Sequence, residues 1–253
     1  RSTTALRTEC TIPFRLDLAG GWLDQPFVSK HHPGCVLTVS IEPTHDFNDR
    51  SGMSSSTRRR AIELWRTHLP DGDREQLARM LFAYENPPGT VEISGSQDSI
   101  GIVYPGLNRL HYTGGYWPTH IDSVNDDAVL TFLEEHLQLV PLGPRQDGYS
   151  VLSDTHIEAA GAKALADAAD ACWNAILARD AAAFGAAFTA SFDAQVAMFP
   201  QMVDDGIRAT IAAHADHALG WKLSGAGGGG YLILVRREDL PGALRIKIRR
   251  GAY

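Results

Sequence analysis

Apolar and polar residues alternate along 11–18, Thr-Ile-Pro-Phe-Arg-Leu-Asp-Leu, with Ile12, Phe14, Leu16 and Leu18 on one side and Arg15 and Asp17 on the other. A period of two predicts a half-buried strand, and Ala19-Gly20-Gly21 ends it in a tight turn. Residues 35–42, rich in β-branched side chains, predict a second strand. The period turns helical after Ser51-Gly52-Met53-Ser54-Ser55-Ser56-Thr57, where Ala61, Ile62, Leu64, Trp65 and Leu69 share one face. A turn at Leu69-Pro70-Asp71-Gly72 leads to a second helix opened by Asp73, with Gln76 as its capping-box partner and Leu77, Met80, Leu81 and Tyr84 facing inward. Glu85 closes that helix before Asn86-Pro87-Pro88-Gly89.

Beyond it, Gly95-Ser96-Gln97-Asp98-Ser99 reads as a small polar loop, and 100–104 with 108–112 as a hairpin around Pro105-Gly106. Residues 127–137 predict a short helix. The alanine-rich stretch 157–215 predicts three helices, near 158–178, 180–198 and 201–215, with Trp173, Phe184, Phe188, Phe192 and Met198 in the core. Strands at 219–223 and 231–235 flank Ser224-Gly225-Ala226-Gly227-Gly228-Gly229-Gly230, and 246–248 reads as a last strand. The expected fold is α+β in two lobes. Residues 1–115 form a mixed β-sheet lobe with the Ser-rich helix on it, and 116–253 form helices over an antiparallel sheet, with the active site between them.

Composition narrows the class. With 253 residues and 44% hydrophobic content, the chain can bury a sizeable core. A net charge of -7 and the lack of a long basic run argue against a nucleic-acid surface; the triplet Arg58 to Arg60 points three ways around a helix. Cys10, Cys35 and Cys172 are far apart, without metal-ligand spacing, so neither a metal site nor a disulfide framework is expected. The ten histidines are scattered and read as ordinary polar residues. Without a recognisable leader or an apolar run of membrane length, the expected compartment is the reducing cytoplasm.

Two stretches carry candidate chemistry. The first turn of a helix holds backbone N–H groups without intrahelical partners and a partial positive charge. In 51–57, Gly52 permits close approach to such a helix start, and the hydroxyls of Ser54, Ser55, Ser56 and Thr57 add ligands for phosphate oxygens or magnesium. The Gly-rich run 224–230 between two strands suits a second close approach. Arg15, Asp17 and Asp24 gather polar chemistry at a strand end.

Three separated motifs, in order, then resemble those of the GHMP kinases, the galactokinase, homoserine, mevalonate and phosphomevalonate kinases. The first is Pro13-Phe14-Arg15-Leu16-Asp17-Leu18-Ala19-Gly20-Gly21-Trp22-Leu23-Asp24, the second Gly52-Met53-Ser54-Ser55-Ser56, and the third Ser224 to Gly230. They span nearly the whole chain. Leu18 to Asp24 and Gly95-Ser96-Gln97-Asp98-Ser99 look more like the heptose kinase and L-fucokinase branch, whose matching segment is Gly-Trp-Gln-Asp-Gln.

The resemblance implies an ATP- and Mg2+-dependent sugar kinase acting on a hydroxyl of a sugar or sugar phosphate, the anomeric one by analogy with that branch. Asp98 would take or orient the hydroxyl proton, and Arg15 would offset charge on the phosphoryl group. Gly52, Met53, Ser54, Ser55, Ser56 and Thr57 would wrap the phosphates, with Gly225, Gly227 and Gly228 from the third motif. Gly21, Trp22, Asp24, Gln97 and Gly228 would meet the sugar, and Ser56 and Glu85 would hold magnesium. The implied partners are ATP and a small sugar, not nucleic acid or membrane; a homodimer is compatible with the reading.

Three departures stand out. Ser54 replaces a glycine of the usual Gly-Leu-Gly-Ser-Ser and narrows the approach to phosphate. Fewer than thirty residues separate Asp24 from Gly52, where the family has a long insert that helps hold adenine. Ser96 replaces a bulky residue before Gln97. These departures favour a second reading, a catalytically weakened metabolite-binding module; the retained Arg15, Asp24, Glu85 and Asp98 favour the kinase. A decarboxylase on the same scaffold would need more basic residues near the first motif than Arg15 and Lys30.

Overall fold

A computed structural model describes residues 9–44 and 53–251. Gly52, a predicted phosphate contact, lies outside the described residues. The element order is β1 (Phe14–Ala19), α1 (Pro26–Ser29), β2 (Gly34–Ile41), α2 (Ser55–Trp65), α3 (Arg74–Glu85), α4 (Ser96–Val103), β3 (Leu107–Tyr112), β4 (His120–Val124), α5 (Asp127–His136), β5 (Leu137–Pro141), α6 (Ala159–Ala178), α7 (Ala181–Met198), α8 (Asp205–His214), β6 (Ala218–Leu223) and β7 (Tyr231–Arg236). Two sheets result, one ordered β1-β2-β3-β4 and one ordered β5-β7-β6.

Every pairing in the first sheet is antiparallel, where a mixed sheet is expected. Residues 20–33 return the chain alongside β1, and α2 to α4 carry it back to pair β3 beside β2. The α6–α7 hairpin joins the sheets, α6 resting on β2 and α7 on β6. One core cluster accordingly draws Leu16, Val39 and Ile41 from the first sheet together with Leu139, Ile233, Trp173, Phe184 and Phe188. Each such fully buried side chain contributes roughly 1.5–3 kcal/mol of hydrophobic stabilisation. Among the described residues no helix is long and apolar enough to cross a membrane.

Several local expectations are corrected. β1 is buried on both faces rather than half-buried. Its polar face lies under α4, where Gly101 has no side chain to overlap Arg15. Residues 96–103 are helix, neither the expected loop nor the first arm of a hairpin. β3 instead pairs with β2 and with β4. The last helix carbonyls of α4, at Ile102 and Val103, accept from Arg249 Nη2 at 3.2 and 2.6 Å, which anchors this short helix.

On α3 the inward residues are Ala78 and Leu81, whereas Met80 and Tyr84 are 51% and 43% exposed. Small Ala78 lets α3 approach α4 and α2 along a narrow stripe that excludes those longer side chains. The C-terminal stretch makes only the isolated bridges Leu139↔Leu244 and Ile41↔Ile248. It crosses from one sheet to the other, so no continuous strand forms at 246–248.

Candidate active site

The alternation of β1 turns Arg15 and Asp17 away from the Leu16–Leu18 face. Arg15 is 4% exposed and meets two other elements. Its Nε donates to Ser54 Oγ at 2.6 Å, and its Nη2 pairs with Asp98 Oδ1. Ser54 Oγ in turn donates to the same Asp98 oxygen at 2.8 Å. The third guanidinium nitrogen, Nη1, is buried and has no hydrogen-bond partner among the described residues.

Ser54 is the N-cap of α2 but makes no side-chain cap, because its hydroxyl is committed to Arg15 and Asp98. Its backbone is left-handed, φ 55° and ψ 33°, the conformation that a glycine adopts without strain. The first-turn N–H groups of α2 therefore open toward a cavity of about 400 Å³ walled by Ser54 to Thr57, Arg15, Asp24 and Asp98. Asp98 sits in the first turn of α4, so two helix starts converge on this cavity.

Asp24 is 3% exposed, and its Oδ1 accepts from Gln97 Nε2 at 2.8 Å. Burial, and next the charge of Asp98, raise its carboxyl to about 7. Gly95 borders it so closely that any Cβ there would overlap the Asp24 carboxylate. Glu85, at the end of α3, is likewise raised to about 7, first by burial and then by Asp98, while hydrogen bonds from Thr57 and Ser94 oppose the shift. Its Oε2 is buried without a hydrogen-bond partner among the described residues. Beneath the site, Lys222 Nζ is fully buried, donates to the carbonyls of Asp17 and Leu223 at 3.0 Å each, and lies 3.5 Å from Asp17 Oδ2. Burial lowers the Lys222 pKa. Arg15 is raised because Asp98, Asp17 and Asp24 together outweigh its desolvation.

Gly21 and Trp22 line the cavity with Gln97. The Gly21 carbonyl accepts from Gln195 Nε2 at 3.1 Å, and Trp22 stacks on Phe199 at 4.2 Å. Ser56 is exposed on the cavity wall and Thr57 is buried there, one hydrogen bond from Glu85. The Met53 side chain is buried in the core, and its carbonyl accepts from the Arg15 N–H at 3.3 Å. Gly225 reaches the cavity with Ala226. Gly227 and Gly228 pack instead against Met202 and the Tyr149 ring, with the Tyr149 hydroxyl donating to the Ala226 carbonyl at 2.7 Å.

Sequence reasoning missed Arg145 and Gln195. Arg145 lines the cavity, donates from Nε to the Gly227 carbonyl at 2.8 Å and lies over Tyr149. It follows a proline in an aperiodic stretch, and no pattern in the chain marks it. Gln195 offered one signal, an amide on the buried face of α7, where polar side chains need partners.

Comparison with known proteins bears on the fold. No protein-family model matches the chain, and no curated protein matches its sequence. Solved structures do resemble it. The Lactococcus lactis galactokinase complexed with galactose is 14% identical with a TM-score of 0.67, covering 95% of this chain and 93% of that one. The D-glycero-D-manno-heptose 1-phosphate kinase from Bacteroides thetaiotaomicron is 14% identical with a TM-score of 0.57, covering 94% and 95%. The Streptococcus pneumoniae phosphomevalonate kinase in complex with phosphomevalonate and AMPPNP is 12% identical with a TM-score of 0.61, covering 92% and 98%. Over nearly its whole length, this chain has the fold of the GHMP kinases.

Proposed function

We propose that the protein is an ATP-dependent kinase that transfers the γ-phosphoryl group to a hydroxyl of a sugar or sugar phosphate. The observation that carries the reading is the meeting of Arg15, Ser54 and Asp98 at the open N-terminus of α2. A triphosphate tail placed there meets backbone N–H groups and the hydroxyls of Ser55, Ser56 and Thr57. Arg15 Nη1 is free to take a phosphoryl oxygen, and Asp98 faces the same space to accept or orient the hydroxyl proton. Such catalysis is mostly positioning and charge stabilisation.

Magnesium fits the residues present. Glu85 holds a buried oxygen without a hydrogen-bond partner among the described residues, which leaves lone pairs for a cation. Ser56, on the cavity wall, would supply the second ligand, and the ion would offset phosphate charge. On the acceptor side, Asp24, held by Gln97, addresses sugar hydroxyls. The likeness to galactokinase and to the heptose 1-phosphate kinase supports a sugar acceptor.

The Ser54 side chain, on a left-handed backbone where a glycine is expected, narrows the approach to phosphate and favours a second reading, a module that binds a metabolite without turning it over. ADP release separates them. Saturating Mg·ATP should stabilise either form, by about 2.7 kcal/mol at a hundredfold excess over Kd. ADP release across a panel of free sugars and sugar phosphates marks the kinase; stabilisation without ADP release from any of them marks the binding module.

A further inference from the structure

His111 on β3 and His120 on the edge strand β4 are cross-strand partners, and Asp122 follows two residues after His120 on the same face of the ribbon. One Asp122 oxygen lies 2.8 Å from His111 Nε2 and the other 2.7 Å from His120 Nε2. All three ligand atoms fall within 4.8 Å of one another. None of the three residues lines the cleft that holds Arg15 and Asp98.

We propose that His111, His120 and Asp122 bind a divalent ion of the zinc, nickel or copper type, fastening β4 to β3. Two imidazoles and a carboxylate suit such ions, whereas magnesium prefers oxygen ligands alone. An ion with bonds of about 2.0–2.2 Å holds its ligand atoms roughly 3.3 Å apart, so movements of about an ångström close the set. The His111 ring is oriented for this task. Its Nδ1 faces Cys35 Sγ at 3.2 Å, and that sulfur also accepts from Arg109 Nε at 3.4 Å. Arg109 is fixed in turn by Asp170 on α6, at 2.7 Å. A partner on Nδ1 is the arrangement that leaves Nε2 for a metal. Among the described residues β4 pairs only with β3, so an ion bridging the pair adds a second link to this edge strand.

The test is calorimetric titration of the EDTA-stripped full chain with Ni2+ and Zn2+ in excess magnesium. One ion per chain is expected, with His120→Ala and Asp122→Asn each weakening binding at least about tenfold. His120 is exposed, so its loss spares the fold, which circular dichroism checks. His217→Ala, an exposed histidine paired with Glu238, should leave binding unchanged. The proposal is overturned if the wild type binds no ion, if the two site variants bind as tightly as the wild type, or if His217→Ala weakens binding equally. None of these outcomes depends on kinase activity.

Discussion

Arg15 Nε donates to Ser54 Oγ at 2.6 Å, and Ser54 makes that bond from a left-handed backbone. The two facts pull in opposite directions. A left-handed non-glycine residue costs about 1–2 kcal/mol, while a hydrogen bond to a charged group is worth about 1.5–3 kcal/mol. Ser54→Ala keeps the strain and loses the bonds, so it should destabilise by about 1.5–3 kcal/mol. Ser54→Gly loses the bonds and relieves the strain, so its loss should be about 1 kcal/mol smaller. Denaturant titration of both variants checks the order. The glycine variant should also bind nucleotide more tightly, since Arg15 and Asp98 are no longer tethered to the helix cap.

Gly95 borders the Asp24 carboxylate without room for a methyl group. Gly95→Ala should push Asp24 out of line with Gln97 and lower kcat/KM for the sugar by about 10²-fold, the effect of misplacing a positioning group by about 1 Å. Nucleotide affinity, measured by calorimetry, should stay close to that of the wild type.

Glu85 titrates at about 7 in the folded chain against an ordinary value of 4.5, chiefly through burial. The neutral form is favoured by folding. Its stabilising contribution is whole below the unfolded pKa and is lost as pH rises through the folded one. Glu85→Gln mimics the neutral form, so variant and wild type should unfold alike below pH 4.5, and the variant should unfold at higher temperature above pH 7. Saturating magnesium should shrink that difference by favouring the wild-type carboxylate. Thermal unfolding on both sides of neutrality, with and without magnesium, reads both effects.

Lys222 and Asp17 form a buried pair under the cleft. Removing one member strands a charge, so Lys222→Met should cost about 3–5 kcal/mol. Asp17→Asn combined with Lys222→Met should recover part of that loss, because no unpaired charge remains. Chemical denaturation of the single and double variants measures the coupling.

The parts legible in the sequence share a strong period or a strong punctuation mark. β1 follows from the alternation at Phe14 to Leu18, and α6 and α7 from alanine and phenylalanine at helical spacing. Ser54, at the start of α2, stands out as the one side chain where a glycine is expected, although the target of its hydroxyl was not visible. α4 was not legible. Gly95 to Ser99 has weak helix propensity, and Ile100, Ile102 and Val103 suit a strand equally well. The helix exists because Ser96, Gln97 and Ser99 to Val103 are buried against the first sheet and Arg249 caps its end, which are tertiary effects. The His111–His120–Asp122 cluster stayed hidden for a similar reason: it depends on the register of β3 with β4, and the expected hairpin paired β3 elsewhere.

The central claim is that Asp98 serves phosphoryl transfer at the mouth of α2. Its most direct test is ADP release by Asp98→Asn on the sugar that the wild type phosphorylates, measured beside Mg·ATP binding. The account expects nucleotide still to bind and turnover to fall by about 10²–10⁴-fold. Wild-type turnover from an Asp98→Asn protein that binds nucleotide normally would contradict it.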